Sequence, residues 1–344
     1  MMKQERERES AFELIRIVAQ VMIVFYHILY FAIFPIAEEP FYRAFYFPLH
    51  IGVPLFILIS GYFGIKPSVK GFINLLGMVF LLSIPLIVRG VVNGDLQEVA
   101  GGILFVSRTP YWFIRCYIFL YLSSIVINRY LKDLNTTGRI LLILVLFYIS
   151  DICGTIGSDK TLREGYNIFT FLMFYCVGNT LKVYRDVWAK WSEALLVVTW
   201  VVFNAIVVAI FTKLGFDHPI VEKIYERGFY EYCSVFMLLN SVWFFFIMAK
   251  LKIHSKIINV IARASLAIYM IHGFFLFEVI NPIATRLYEM NSHPAVVLVS
   301  ILGLSLIVVL ACVAIYLVLT PLWNAVRRLG ERVQDSLDKR SCLS

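Results

Sequence analysis

From Ala295 to Trp323 the sequence runs without a single Asp, Glu, Lys, Arg or His. That stretch is longer than the roughly 20 apolar residues that cross a bilayer as an α-helix. Such a segment has few stable settings, because hydrocarbon offers backbone N–H and C=O groups no partners beyond those inside a helix or a closed barrel. Similar windows recur at about residues 11–34, 45–65, 71–92, 110–131, 139–157, 166–184, 194–214, 229–251, 263–283 and 295–320. They predict an all-α fold, a polytopic integral membrane bundle of about ten transmembrane helices in a lipid bilayer.

Composition excludes the soluble alternative. The chain is 60% hydrophobic and 16% charged, against about 25% charged in ordinary soluble domains. The formal charge of +8 is spread over short connecting loops and forms no basic patch with interleaved aromatics, so no nucleic-acid partner is indicated. Membrane topology accounts for it. About 20 lysines and arginines fall on the side carrying the termini and about 8 on the other, which places both termini in the cytoplasm under the positive-inside rule. The basic N-terminus and first apolar run resemble a signal peptide, but no small-residue cleavage site follows, so the run is read as a retained first helix. Residues 1–325 form one membrane domain and 326–344 a cytoplasmic basic tail, either an amphipathic helix at anionic headgroups or a solvated stop-transfer segment. Cys116, Cys153, Cys176, Cys233, Cys312 and Cys342 include no C-x-x-C pair and indicate neither a disulfide framework nor a metal knuckle.

Within the first window stand Arg16 and His27. Eleven residues at about 100° each leave them about 20° apart around the axis and roughly 16 Å apart along it. Ionisable groups in a spanning helix are costly and mark functional sites by default. The bland readings are Arg16 snorkelling to the interface and His27 as a polar contact between helices. His272, in the ninth window, divides between a substrate contact and a structural hydrogen bond, and His50 reads as structural.

Four segments in order carry a family resemblance: FELIRIVAQVMIVFYH, with an Arg followed after ten residues by His; VPLFILISGYF; YWFIRCYIFLYLSS; and LAIYMIH. Together they resemble the membrane acyltransferase-3 family, bacterial integral membrane O-acyltransferases whose members move acetyl or other acyl groups onto sugars, often of surface polysaccharides. The resemblance implies Arg16 and His27 as the essential pair, Phe56, Ser60, Gly61 and Tyr62 as a second motif, and Trp112, Phe113, Tyr269 and His272 as further signature positions. Glu13 stands where many members have Asp, and Ile125 where a proline is common. The implied setting is a bacterial inner membrane, a plasma membrane crossed many times.

The chemistry of acyl transfer to a hydroxyl fits these residues. It requires a base at the hydroxyl, donors for the oxyanion and a cation for the phosphates of an acyl-CoA such as acetyl-CoA, the donor substrate. His27 suits the base, or the nucleophile of an acyl-histidine intermediate. Arg16 suits the phosphates or the pantetheine arm, while Arg89 and Arg115 suit the acceptor or the thioester carbonyl. Ser60, Tyr62, Trp112, His272 and Glu13 complete the expected substrate-binding set. No bound cofactor and no metal are expected. The expected partners are acyl-CoA, a glycan acceptor and the bilayer; oligomeric state is open, a homodimer being one option. A secondary transporter or exporter of a glycan or small molecule is the competing class, because titratable residues in bundles also line transport paths.

Overall fold

The computed structural model describes residues 9–105, 111–157, 162–291 and 293–341. Helix α1 (Ser10–Ile28) carries Glu13 in its first turn, where a carboxylate complements the helix dipole, and runs on through a π turn at Leu29–Ile33. Pro40 opens α2 (Pro40–Leu49), its missing N–H costing nothing at a first helical position. Helix α3 (Gly52–Phe63) follows almost directly. Pro54 cannot donate to the His50 carbonyl four residues back, so α2 and α3 make one broken span from Pro40 to Phe63.

Ser68 caps α4 (Val69–Asn93) by accepting from the Gly71 N–H. Gly94, at a φ of 69°, ends that helix and turns the chain into α5 (Leu96–Ile103). Helices α6 (Trp112–Asp133) and α7 (Thr136–Phe147) follow, the latter prolonged by π turns to Ile156. Asn167 caps α8 (Ile168–Val183), and the one-turn α9 (Arg185–Trp188) leads to α10 (Glu193–Leu214). The rest comprises α11 (Pro219–Glu226), α12 (Val235–Ala249), α13 (Lys256–Arg263), α14 (Ser265–Phe275), α15 (Asn281–Glu289), α16 (Pro294–Val318) and α17 (Thr320–Ser341). No strand occurs among the described residues.

Among the described residues, seven helical stretches are long and apolar enough to cross a membrane: Ser10–Ile33, Pro40–Phe63, Val69–Asn93, Thr136–Gly154, Glu193–Leu214, Ser265–Glu289 and Pro294–Val318. The other three windows correspond to α6, which carries Arg115, Arg129, Lys132 and Asp133, and to the shorter apolar helices α8 and α12. The second span starts at Pro40, earlier than the sequence window, because the proline-initiated α2 joins α3.

Helix α1 is the hub, packing against α2, α3, α12, α13, α14 and α16, with Ile15, Ala19, Ile23, Val24 and Ile28 buried. The closest seam joins α3 to α8. A Cβ on Gly61 would overlap the Tyr175 carbonyl, and one on Gly178 the Leu58 carbonyl. Small residues let two backbones meet in this way, which supplies association where the hydrophobic effect is absent. At the N-terminal end of α1, the Ser255 N–H donates to Ser10 Oγ at 3.0 Å. The expected basic tail belongs to α17, which lies along α4: Lys70 Nζ meets Glu331 Oε1 at 2.7 Å, and Gly77 makes room for Val326. In the connection after α4, residues 96–103 form α5 against α4; residues 106–110 lie outside the described ones.

Candidate active site

A cavity of about 1320 Å³ opens between α1, α3, α4, α6, α13, α14 and α17. Helix α1 contributes Ser10, Glu13, Arg16, Gln20 and Ile23, residues three or four apart and therefore stacked on one face. Arg16 Nη1 donates to both oxygens of Glu13 at 2.8 Å, across a single helical turn. Glu13 is buried, whereas Arg16 keeps 29% of its side chain accessible. The buried carboxylate thus holds the guanidinium at the cavity wall. Ser60 also lines the cavity, with its hydroxyl donating to the Phe56 carbonyl at 2.9 Å.

The cavity ends at Ile23 and Tyr269, one helical turn short of two histidines. His27 lies four residues beyond Ile23, about 6 Å along the axis, and His272 three beyond Tyr269, about 4.5 Å. Here the helices bring the pair together: His27 Nδ1 is 2.8 Å from His272 Nε2, and His272 Nδ1 is 2.7 Å from the Ile268 carbonyl oxygen. A carbonyl only accepts, so His272 Nδ1 carries a proton. In the neutral ring Nε2 is then an acceptor and takes the Nδ1–H of His27. That chain of donors leaves His27 Nε2 with a lone pair and no hydrogen-bond partner among the described residues. His272 is 1% exposed and stacks on His27 with ring centroids 5.1 Å apart, so the orientation is held by packing as well as by hydrogen bonds.

Beyond the histidine pair lies an aromatic cluster. Tyr26 meets His27 edge-on at 4.4 Å, and its hydroxyl is 2.9 Å from that of Tyr232. Trp112 packs against Tyr232 and Tyr166. His50, at the break between α2 and α3, donates from Nδ1 to the Tyr230 carbonyl at 2.6 Å and accepts from the Tyr46 hydroxyl at 3.1 Å. It tightens the cluster structurally.

The remaining expected residues stand apart from the cavity. Arg89 donates from Nε to Glu98 at 2.6 Å and from Nη1 to Glu278 at 3.0 Å, and its guanidinium caps the Phe274 ring at 4.6 Å. It ties α4 to α5 and to the π turn after α14. Arg115, half-buried on α6, makes no hydrogen bond or ion pair with a described residue and is not on the cavity wall. Tyr62 is buried, stacked on Phe12 at 4.9 Å, with no hydrogen-bond partner for its hydroxyl among the described residues. Sequence reasoning passed over Gln20, Asn74, His254, Lys256, Asn259, Arg263 and Arg327, which all face the cavity. The basic run KLKIHSKIINVIAR was the available signal, and topology absorbed it. Among the described residues no group of three or more His, Cys, Asp or Glu side chains is arranged to hold a metal ion.

The sequence model of the acyltransferase-3 family, described as an acyltransferase domain, matches residues 9–318 of the 344. No curated protein and no solved structure matches the chain. With nearly its whole length covered, the chain belongs to the acyltransferase-3 family and is a membrane acyltransferase.

Proposed function

We propose that this chain is an O-acyltransferase of the bacterial plasma membrane that moves an acyl group, acetyl in the first instance, from acyl-CoA to a hydroxyl of a surface polysaccharide or its lipid-linked precursor. The observation that carries the reading is the alignment of a cation-lined cavity with the histidine pair one turn beyond its inner end. The termini and the cavity mouth face the cytoplasm, where acyl-CoA is available. The donor enters past Arg16 with its thioester foremost, and the acceptor approaches His27 from the aromatic side.

In the transfer, His27 Nε2 takes the hydroxyl proton as the oxygen attacks the thioester carbonyl. His272 keeps the accepting nitrogen aimed by holding the other ring proton. Collapse of the tetrahedral intermediate breaks the C–S bond, and the His27 proton passes to the departing thiolate, giving ester and free CoA. The alternative order, with His27 Nε2 first acylated, uses the same nitrogen and is distinguished by trapping an acyl-protein in the absence of acceptor.

The test compares ester-linked acyl content of surface glycan in cells lacking the protein, cells expressing it, and cells expressing His27→Ala at matched membrane levels. Acylation restored by wild type and lost with His27→Ala is expected. Equal acylation in all three would rule out a surface glycan as acceptor.

A further inference from the structure

The family match ends at residue 318, yet the cavity does not. Thr320, Trp323, Asn324 and Arg327, on one face of α17, form part of its wall. The helix is seated at both ends. Trp323 Nε1–H donates to the Tyr316 carbonyl at 2.9 Å, and Lys70 pairs with Glu331 one turn past Arg327. Arg327 lines the same cavity as Lys256 and Arg263 of α13. Arg328, the next residue, is off the wall and donates to the Asn324 carbonyl of its own helix at 3.3 Å.

A second observation points to the ligand. Gln20, 3% exposed, donates its amide to the Ser265 carbonyl at 2.8 Å, which leaves Oε1 as a buried acceptor without a partner among the described residues. Asn74 Oδ1 and Asn259 Oδ1, on the same cavity, are likewise buried and unpartnered. Three such acceptors and three basic side chains on the wall of one cavity suit a ligand that carries both N–H groups and phosphates.

We propose that α17 is part of the donor site: Arg327, with Lys256 and Arg263, binds the phosphates of the acyl-CoA, while the side-chain carbonyls of Gln20, Asn74 and Asn259 accept N–H groups of its amide-bearing arm. The proposal rests on the acyl-CoA reading above. It makes the C-terminal helix, outside the family-matched region, a binding element.

The test uses the full chain in phosphatidylcholine nanodiscs, with CoA and pantetheine as competitors of radiolabelled CoA. Arg327→Gln is expected to weaken CoA about tenfold, the effect of losing one charge-assisted hydrogen bond, and to leave pantetheine unchanged, which also reports that the cavity is folded. Arg328→Gln, removing the same charge next door, is expected to leave CoA binding at the wild-type level. Wild-type CoA affinity in Arg327→Gln would overturn the role of α17 while leaving the donor reading intact. No CoA binding by the wild type would overturn the donor reading itself. A loss in Arg327→Gln that appears only when phosphatidylglycerol is added would assign Arg327 to lipid headgroups and overturn the proposal.

Discussion

His27 and His272 divide one task between them. Of the two, only His27 keeps a ring nitrogen without a hydrogen-bond partner among the described residues; His272 spends both of its own on His27 and on the Ile268 carbonyl. His27→Ala is therefore expected to lower the transfer rate by a factor of about 100 or more, the ordinary contribution of a general base. In the proposed function His272 is a positioning residue. His272→Leu should lower kcat without raising the KM for acyl-CoA, and His272→Gln, whose amide oxygen can still accept the His27 Nδ1–H, should recover part of the loss. Equal rates for the two variants would show that packing alone orients His27. In the proposed function Arg16 presents a different pattern, because it lines the cavity, one end of which lies a turn short of the histidine pair. Arg16→Ala should raise the KM for acyl-CoA more than it lowers kcat, measured with steady-state kinetics on the purified protein. His27 and Arg16 were readable as candidates because charge inside a spanning helix is rare. The His27–His272 bond was not, since the two residues stand 245 positions apart in the chain.

At the level of elements, the α3–α8 seam and the docking of α17 differ in kind. The seam brings backbone against backbone at Gly61 and Gly178, and rigid carbonyls cannot move aside for a methyl group. Gly61→Ala and Gly178→Ala are each expected to cost about 1–3 kcal/mol, as overpacking does, visible as a lower Tm in detergent. An unchanged Tm for both would mean that the helices separate at no cost. Docking of α17 leans on exposed side chains, with Lys70 and Glu331 at 38% and 44% accessibility, so solvent screens their pair and it contributes little. The Lys70 ammonium holds the Glu331 carboxyl below its usual range. Its contribution is present above the carboxylate range and is lost as pH falls through it, so α17 should stay docked at neutral pH and loosen in acid or high salt. Hydrogen exchange of residues 320–341 against pH and salt measures this.

Across the whole molecule, three layers follow one another: a cation-lined cavity on the side of the termini, the histidine pair, and the aromatic cluster. In the proposed function, donor and acceptor arrive from opposite faces of this arrangement. Radiolabelled acetyl-CoA added to sealed vesicles should therefore support transfer when the termini face the added donor and not in the opposite orientation. Transfer in both orientations would put the donor entrance elsewhere. The broad design was visible in the chain because hydropathy is a local property: about 20 apolar residues make a span whatever surrounds them. Helix α17 was not visible as a wall, because a basic amphipathic segment has the same composition whether it lies on lipid, in water or against α4.

The sequence alone determined that the chain must be helical and membrane-embedded, since of the two backbone states that satisfy their polar groups in hydrocarbon, helix and closed barrel, runs of about 20 apolar residues fit the helix. It also determined that Arg16 and His27 share a face, because the α-helical period places residues 11 positions apart nearly in line. Tertiary structure alone decided that His27 is aimed by His272, that Arg89 is held by Glu98 and Glu278, and that α17 closes the cavity. These are contacts between segments distant in the chain, and hydropathy and helical period carry no information about which faces of which helices meet.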